Sequence, residues 1–415
     1  MQLHENKTTP EVALLVGIDT GAYDCAVSLD ELEELAHTAG AQVAAKISQS
    51  REKPDAGTCV GAGKLEEIVE FCENNEVDLL IFDCELTPVQ QRNLEDKTGL
   101  RVIDRTTLIL DIFAAHALSN EGKLQVELAQ LKYRLPRLTG KGAELSRLGG
   151  GIGTRGPGET KLETDRRHIR RQIKNLETQL EALGKRRSLA RARRSKEGFE
   201  TVAIVGYTNA GKSTLMNTLT QAGVLVEDKL FATLDPAARA LVLPDGRRVM
   251  LVDTVGLIRR LPHNLVEAFK STLEEAVNAT VILNVCDVSS PECAEHLAVT
   301  EKLLEELGCG GKPVISVLNK CDLLPSAADL PVIGKSVIIS ALEGKGIGKL
   351  LEAVSAALPA TQRKAELLIP YAAAAAAAEI RRDGIIYREE YREDGLYLSV
   401  SADFRLLERL KEYLV

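Results

Sequence analysis

From residue 11 to about residue 117, short apolar runs alternate with stretches whose apolar positions recur every three to four residues. Runs at 12–16, 41–47, 77–82 and 100–103 predict strands. The 29–39 stretch predicts a helix stopped by Gly40, and Pro88 sits near the start of another. Strand and helix in alternation imply a small parallel sheet covered by helices. The pattern then changes. Leu124, Leu128, Leu131, Leu135 and Leu138 step by four and three, and Ile169, Ile173, Leu176, Leu180 and Leu183 repeat those steps. Two matched seams predict an antiparallel helical hairpin. Pro136 should end or kink the first helix near Leu135. The second is expected over residues 164–196, on the order of 45–50 Å long. Residues 139–163 between them read as a loop with a glycine-rich centre at 148–160. A loop of that length and composition cannot pack a core of its own, which leaves function or disorder.

A third pattern begins at residue 200. The apolar run 202–205 leads into Gly206-Tyr207-Thr208-Asn209-Ala210-Gly211-Lys212-Ser213, and a helical pattern follows from Thr214. Strand, glycine loop and helix in that order make a phosphate-binding loop. Its backbone N–H groups would cradle phosphates at a helix N-terminus. Lys212 would reach the β- and γ-phosphates, and the Ser213 hydroxyl would hold Mg²⁺. Four partners follow in order. Phe231-Ala232-Thr233 lies in a turn-prone stretch, and Thr233 is placed for Mg²⁺ and the γ-phosphate. Asp253-Thr254-Val255-Gly256 ends the run 249–252; Asp253 would hold Mg²⁺ through water and the Gly256 N–H would sense the γ-phosphate. Asn319-Lys320-Cys321-Asp322 follows the run 314–318, and its last carboxylate can accept from N1–H and the 2-amino group of guanine, which adenine lacks. Ser340-Ala341-Leu342 would support the base. Together these predict GTP binding, with Lys212, Thr233 and Gly256 in the catalytic set and Ser213, Thr233 and Asp253 as the metal set. Leu257 stands where a Ras-like enzyme has its water-orienting glutamine. Residues 59–64, Cys-Val-Gly-Ala-Gly-Lys, are a weaker match, read as a strand-to-helix turn with a second nucleotide site left open. Beyond residue 361 a small α+β segment is expected: strands at 366–369, 385–391 and 396–400, helices at 372–382 and 404–414, and a hairpin turn at 393–395.

Composition refines this picture. At 415 residues and 45% hydrophobic, the chain holds two to four globular domains. Its net charge is −8, yet residues 165–196 carry twelve Lys and Arg against three acidic residues, +9 in one helix. Such segregation marks a phosphate-backbone contact. With Arg147, Arg155 and Lys161 on the glycine loop and Arg166, Arg167, Arg170 and Arg171 on the helix, the hairpin is the candidate RNA-binding element. Few of the eight cysteines lie outside apolar runs and none forms a C-x-x-C pair, so they read as reduced core residues of a cytoplasmic protein. The alanine run 372–378 is too short to span a membrane, and residues 1–10 do not read as a signal peptide.

The signature Gly149-Gly150-Gly151-Ile152-Gly153-Thr154-Arg155-Gly156-Pro157-Gly158-Glu159-Thr160-Lys161, running on to Arg167, resembles the HflX family of ribosome-associated GTPases. So do Gly206 to Thr214, Phe231 to Asp235 and Asp253 to Gly256. The resemblance implies an α/β fold: a P-loop, Ras-like G domain with an N-terminal α/β subdomain, an antiparallel helical hairpin and a small C-terminal α+β domain. The expected boundaries are 1–120, 121–198, 199–360 and 361–415. It also implies that the protein binds the large ribosomal subunit and its rRNA, with GTP promoting separation of stalled or idle subunits and hydrolysis to GDP releasing the factor. A monomer is expected, without a membrane span and with peripheral association left open. Asn209 resembles the asparagine of GTPases that bind a monovalent cation, which adds Asn209 to the expected catalytic set and K⁺ to Mg²⁺ as an expected cofactor. The alternatives are a GTPase aiding ribosome assembly or RNA modification, a P-loop ATPase or small-molecule kinase, and a GTP switch for a protein partner.

Overall fold

A strand covered on both faces reads as an unbroken apolar run, and β1 (Val12–Asp19) is one, with its six middle residues buried. In the computed structural model, which describes residues 10–139, 157–196, 200–220, 230–231, 237–260, 270–324, 336–359 and 362–415, β1 is central to a four-stranded parallel sheet. Its order is β2-β1-β3-β4, with β2 (Gln42–Ser50), β3 (Leu79–Phe82) and β4 (Arg101–Asp104). The helices are α1 (Cys25–Thr38), α2 (Ala62–Asn74), α3 (Pro88–Thr98) and α4 (Arg105–His116). α1 starts four residues before its apolar periodicity, because the Asp24 carboxylate accepts from the N–H groups of Ala26 and Val27. The 59–64 segment is a turn into α2: the Gly61 N–H donates to Gln49 Oε1, and Lys64 pairs with Glu67 at 2.5 Å.

α5 (Asn120–Arg134) carries two apolar faces. Val126, Ala129 and Tyr133 join the core of the first sheet, while of the expected seam Leu128 is buried and Leu124 and Leu131 are half-buried, on a helix that packs against the next one. A 3₁₀ turn over Leu135–Thr139 takes over where Pro136 removes an N–H. α6 (Pro157–Lys196) is longer than its seam implied. Residues 157–163, expected as loop, are helical, because Pro157 sits at the first helical position, where its missing N–H costs nothing. Forty residues reach about 60 Å. Leu176 of the seam is buried, and Ile169, Ile173, Leu180 and Leu183 are half-buried.

The next sheet has six strands, in the order β10-β9-β8-β5-β7-β6. They are β5 (Glu200–Gly206), β6 (Ala238–Val242), β7 (Arg248–Asp253), β8 (Val281–Asp287), β9 (Val314–Asn319) and β10 (Ser336–Ile338). Only β6 runs antiparallel. α7 (Lys212–Thr220), α8 (Lys270–Asn278), α9 (Cys293–Glu306) and α10 (Ile347–Ala357) complete it.

The chain divides into two compact units, residues 1–354 and 355–415. Within the second, β11 (Gln362–Ile369), β12 (Ile385–Arg392) and β13 (Gly395–Asp403) form an antiparallel sheet of order β11-β13-β12, with α11 (Ala374–Asp383) and α12 (Phe404–Arg409). The last helix, expected to reach residue 414, stops at Arg409. The Val415 N–H donates to the Glu366 carbonyl and Leu414 bridges Leu367, so pairing with β11 draws this stretch out of helix. The helix expected from residue 372 starts at Ala374, after a 3₁₀ turn over Tyr371–Ala373.

Candidate active site

The phosphate loop leaves β5 at the centre of its sheet, between β8 and β7, where the strand order reverses direction. Gly206 has φ +149°, and a Cβ there would stand 2.1 Å from the Val285 carbonyl oxygen, so only glycine lets β5 turn against β8. Asn209 takes the left-handed conformation at φ 57° and is exposed, while Ala210 is buried. Gly211 faces the Asn319 side chain, and Thr214 is half-buried in the first turn of α7. Lys212 opens α7 and is 7% exposed; its Nζ donates to the Tyr207 carbonyl at 2.7 Å. Burial pulls its pKa down to about 8, against the opposing pull of Asp253.

Asp253, at the end of β7, is fully buried, and burial pushes its carboxyl up. Ser213 Oγ donates to Asp253 Oδ2 at 2.9 Å, and Oδ1 has no partner among the described residues. An orphaned buried carboxylate oxygen beside a hydroxyl is the hard-oxygen donor set that Mg²⁺ prefers. Phe231 is buried, while Ala232 and Thr233 lie outside the described residues, as do Arg147 and Arg155. The loop after Asp253 is joined to the phosphate loop: the Thr208 N–H donates to Leu257 O at 2.8 Å, and the Leu257 N–H donates to Gly206 O at 3.1 Å. Gly256 lies against Thr208 and Lys212.

The base-recognition residues meet at one place. Asn319 Nδ2 donates to Ala210 O at 2.9 Å, and its Oδ1 accepts the Ala341 N–H at 2.9 Å. One side chain thus ties the phosphate loop to the Ser340 loop. Lys320, at φ 64°, pairs with Asp287 at 2.7 Å. Asp322 presents a buried Oδ1 without a partner among the described residues, and Ser340 is buried, accepting the Glu343 N–H. Leu342 is 79% exposed.

A buried charge network joins the first sheet to this site, and sequence reasoning missed it. Tyr207 OH donates to Glu31 and accepts the Arg259 N–H at 2.8 Å; its ring stacks on His296 at 3.8 Å. Arg105 binds the Glu31 carboxylate, Asp83 at 3.0 Å and the Arg259 carbonyl at 3.3 Å, while Arg260 binds Asp83 and Ser28. Burial first, then the Glu31 carboxylate, raise the Tyr207 hydroxyl pKa. Below the network, the Phe113 ring meets Phe231 edge-on at 4.6 Å, in one apolar cluster with Leu257 and Ile258. Residue spacing carries no signal for this, since Glu31 and Tyr207 lie 176 positions apart. Tyr207→Phe is expected to lower stability by about 1–3 kcal/mol, because it leaves the Arg259 N–H unpaired. The denaturant midpoint checks this.

On α6, Arg167, Arg170 and Arg171 are exposed and Arg166 is half-buried, while Lys161 falls in the helix without a described side chain. Arg187 pairs with Glu121 of α5 at 3.0 Å and Glu274 of α8 at 3.8 Å. Among the described residues no helix is long and apolar enough to cross a membrane.

Residues 26–114, 116–194 and 201–320 match families described as GTP-binding GTPase N-terminal, GTP-binding GTPase Middle Region and 50S ribosome-binding GTPase. The GTPase HflX of Caldanaerobacter subterraneus subsp. tengcongensis is 52% identical over 98% of this chain and 94% of that protein. The chain belongs to the GTPase HflX family. The HflX relative from Lacrimispora saccharolytica is 47% identical over 99% of this chain and 98% of its own length, and that of Escherichia coli 42% over 91% and 89%. Among solved structures, a GTP-binding protein from Sulfolobus solfataricus in complex with GDP is 26% identical, covering 83% of this chain and 98% of that one at a TM-score of 0.43. As an HflX GTPase, the chain hydrolyses GTP on a P-loop G domain.

Proposed function

We propose that this HflX GTPase binds the large ribosomal subunit in the cytoplasm, as a monomer, and uses GTP binding and hydrolysis to split or rescue stalled or idle ribosomes. The carrying observation is Arg187, which ties the basic helix α6 to α8 in the G region, so that a contact on the hairpin has a physical route to the nucleotide site. The family description of residues 201–320 as a 50S ribosome-binding GTPase supports the same reading. In this reading the chain is organised as an N-terminal segment 1–120, a hairpin 121–198, a G domain 199–360 and a C-terminal segment 361–415. Arg166, Arg167, Arg170 and Arg171, with Arg147, Arg155 and Lys161 at the tip, would meet rRNA phosphates.

At the nucleotide, Lys212 would neutralise the β- and γ-phosphates and the Gly256 N–H would sense the γ-phosphate. Asp322 would read guanine. Ser213, Asp253 and Thr233 would hold Mg²⁺, which supplies charge neutralisation between the β- and γ-oxygens when bound. The Asn209 carboxamide, exposed and without a hydrogen bond among the described residues, would hold K⁺ beside the phosphates. Turnover in potassium is then expected to exceed turnover in sodium by about tenfold or more; equal rates would remove Asn209 from the catalytic set.

Co-sedimentation tests the partner. With a non-hydrolysable GTP analogue, the protein should pellet with mature large subunits. Glutamate at Arg167, Arg170 and Arg171 together should abolish this, and salt should weaken it steeply. Pelleting only with precursor particles would favour a role in assembly instead.

A further inference from the structure

We propose that the Thr208 hydroxyl is a catalytic group of GTP hydrolysis, orienting the attacking water in place of the polar side chain that Leu257 does not provide. The proposal rests on the reading of residues 206–213 as the triphosphate cradle. Thr208 is 6% exposed, and its Oγ1 is buried with no hydrogen-bond partner among the described residues. Nearby hydroxyls in the same region are satisfied. Thr254 Oγ1 donates to Ile204 O at 2.8 Å, Thr218 to Ala341 O at 2.6 Å, Thr220 to Met216 O at 2.7 Å, and Ser213 to Asp253. A buried hydroxyl without a partner among the described residues carries a desolvation cost. Such a group is explained if its partner arrives with the substrate.

Its position supports that partner. A Cβ at Gly256 would lie 2.7 Å from Thr208 Cγ2 and 3.1 Å from Lys212 Nζ. The Thr208 methyl and the Lys212 ammonium therefore both border Gly256, whose N–H is read as the γ-phosphate sensor, and the Thr208 hydroxyl is carried on the same Cβ as that methyl. Its backbone is pinned by the bond from its N–H to Leu257 O at 2.8 Å, and its β-branched side chain is stiff at χ1. A hydroxyl held this way is preorganised, which is what makes a polar group effective in a transition state. Leu257, 3% exposed, is committed to the apolar cluster that holds Phe113 and Phe231, so its side chain is engaged in packing.

A hydroxyl can accept a hydrogen bond from the water and donate one to a γ-phosphate oxygen at the same time. The water oxygen bonds to the γ-phosphorus as the bond from phosphorus to the β–γ bridging oxygen breaks. GDP leaves with that electron pair, and the water's protons pass to phosphate and solvent. Thr208 gains and loses no net proton; it fixes the line of attack.

The test compares the full chain with Thr208→Val, which keeps the shape, and Thr208→Ser, which keeps the hydroxyl, in magnesium and potassium. The readouts are affinity for the non-hydrolysable analogue GMPPNP, the single-turnover hydrolysis rate, and retention of GDP with aluminium fluoride. Valine should slow single turnover on the order of 10²-fold and lose the aluminium fluoride complex, while GMPPNP affinity stays within about threefold. Serine should retain most of the rate. Valine within about twofold of the parent rate would overturn the proposal, and so would equal losses of rate and GMPPNP affinity, which mark a binding or folding role. Failure of the parent chain itself to bind GMPPNP would instead sink the triphosphate reading.

Discussion

Asp322→Asn is expected to lower affinity for GTP on the order of 10³- to 10⁴-fold and to restore binding for the xanthine nucleotide. Sites built to hydrogen-bond a substrate group discriminate on this scale, because a mismatch leaves buried polar atoms unpaired. Asp322 lies in the 3₁₀ turn Cys321–Leu323 with Oδ1 buried and without a partner among the described residues. A carboxylate there accepts from the two donors on the guanine edge. Asparagine presents a donor to one of them, and xanthine, with a carbonyl in place of the 2-amino group, turns that clash into a match. The surrounding frame should survive, since Asn319 holds Ala210 and Ala341 independently of Asp322. Competition between guanine and xanthine triphosphates for a fluorescent nucleotide reads the outcome. An unchanged preference for GTP would place base recognition elsewhere.

Lys212→Met is expected to cost nucleotide affinity on the order of 10²-fold or more, since a charge-assisted contact to phosphate disappears. It should also change how the nucleotide-free protein responds to pH. Burial lowers the Lys212 pKa from 10.5 to about 8. Between those values the unfolded chain binds a proton that the folded chain does not, so stability rises with pH across the window. Below about pH 8 both states are protonated, and the folded state bears the whole penalty of the buried ammonium. Relative to the methionine variant, the wild type should therefore gain about 3 kcal/mol between pH 8 and 10.5, at 1.4 kcal/mol per pK unit. GTP should abolish the difference, because phosphate keeps the ammonium charged. Parallel stability curves for the two proteins would mean that Lys212 has an ordinary pKa and is not desolvated.

The local chemistry of the nucleotide site was legible because it is carried by short, contiguous motifs. Gly206 to Ser213, Asp253 to Gly256 and Asn319 to Asp322 each follow a strand, as the apolar runs predicted. The helical seams placed α5 and α6, and Pro136 marked the change from α to 3₁₀. What escaped notice depends on tertiary contact. Phe231 read as part of a polar turn, yet it is buried against Phe113. Tyr207 read as one residue of a phosphate loop, yet it also joins Glu31, Arg259 and His296. Helix ends were the other weak point. Pro157 could have signalled the start of α6, but the glycines before and after it favoured a loop, and the withdrawal of Leu414 and Val415 from the last helix depends on a strand almost fifty residues away.

On the large ribosomal subunit, the basic hairpin and the GTP site are proposed to work as one device. GTP turnover in potassium, with and without purified large subunits, tests it most directly. Strong stimulation by the subunits is expected, lost when Arg167, Arg170 and Arg171 are replaced by glutamate while basal turnover is kept. Intact GTP binding with no stimulation by the subunits would contradict it.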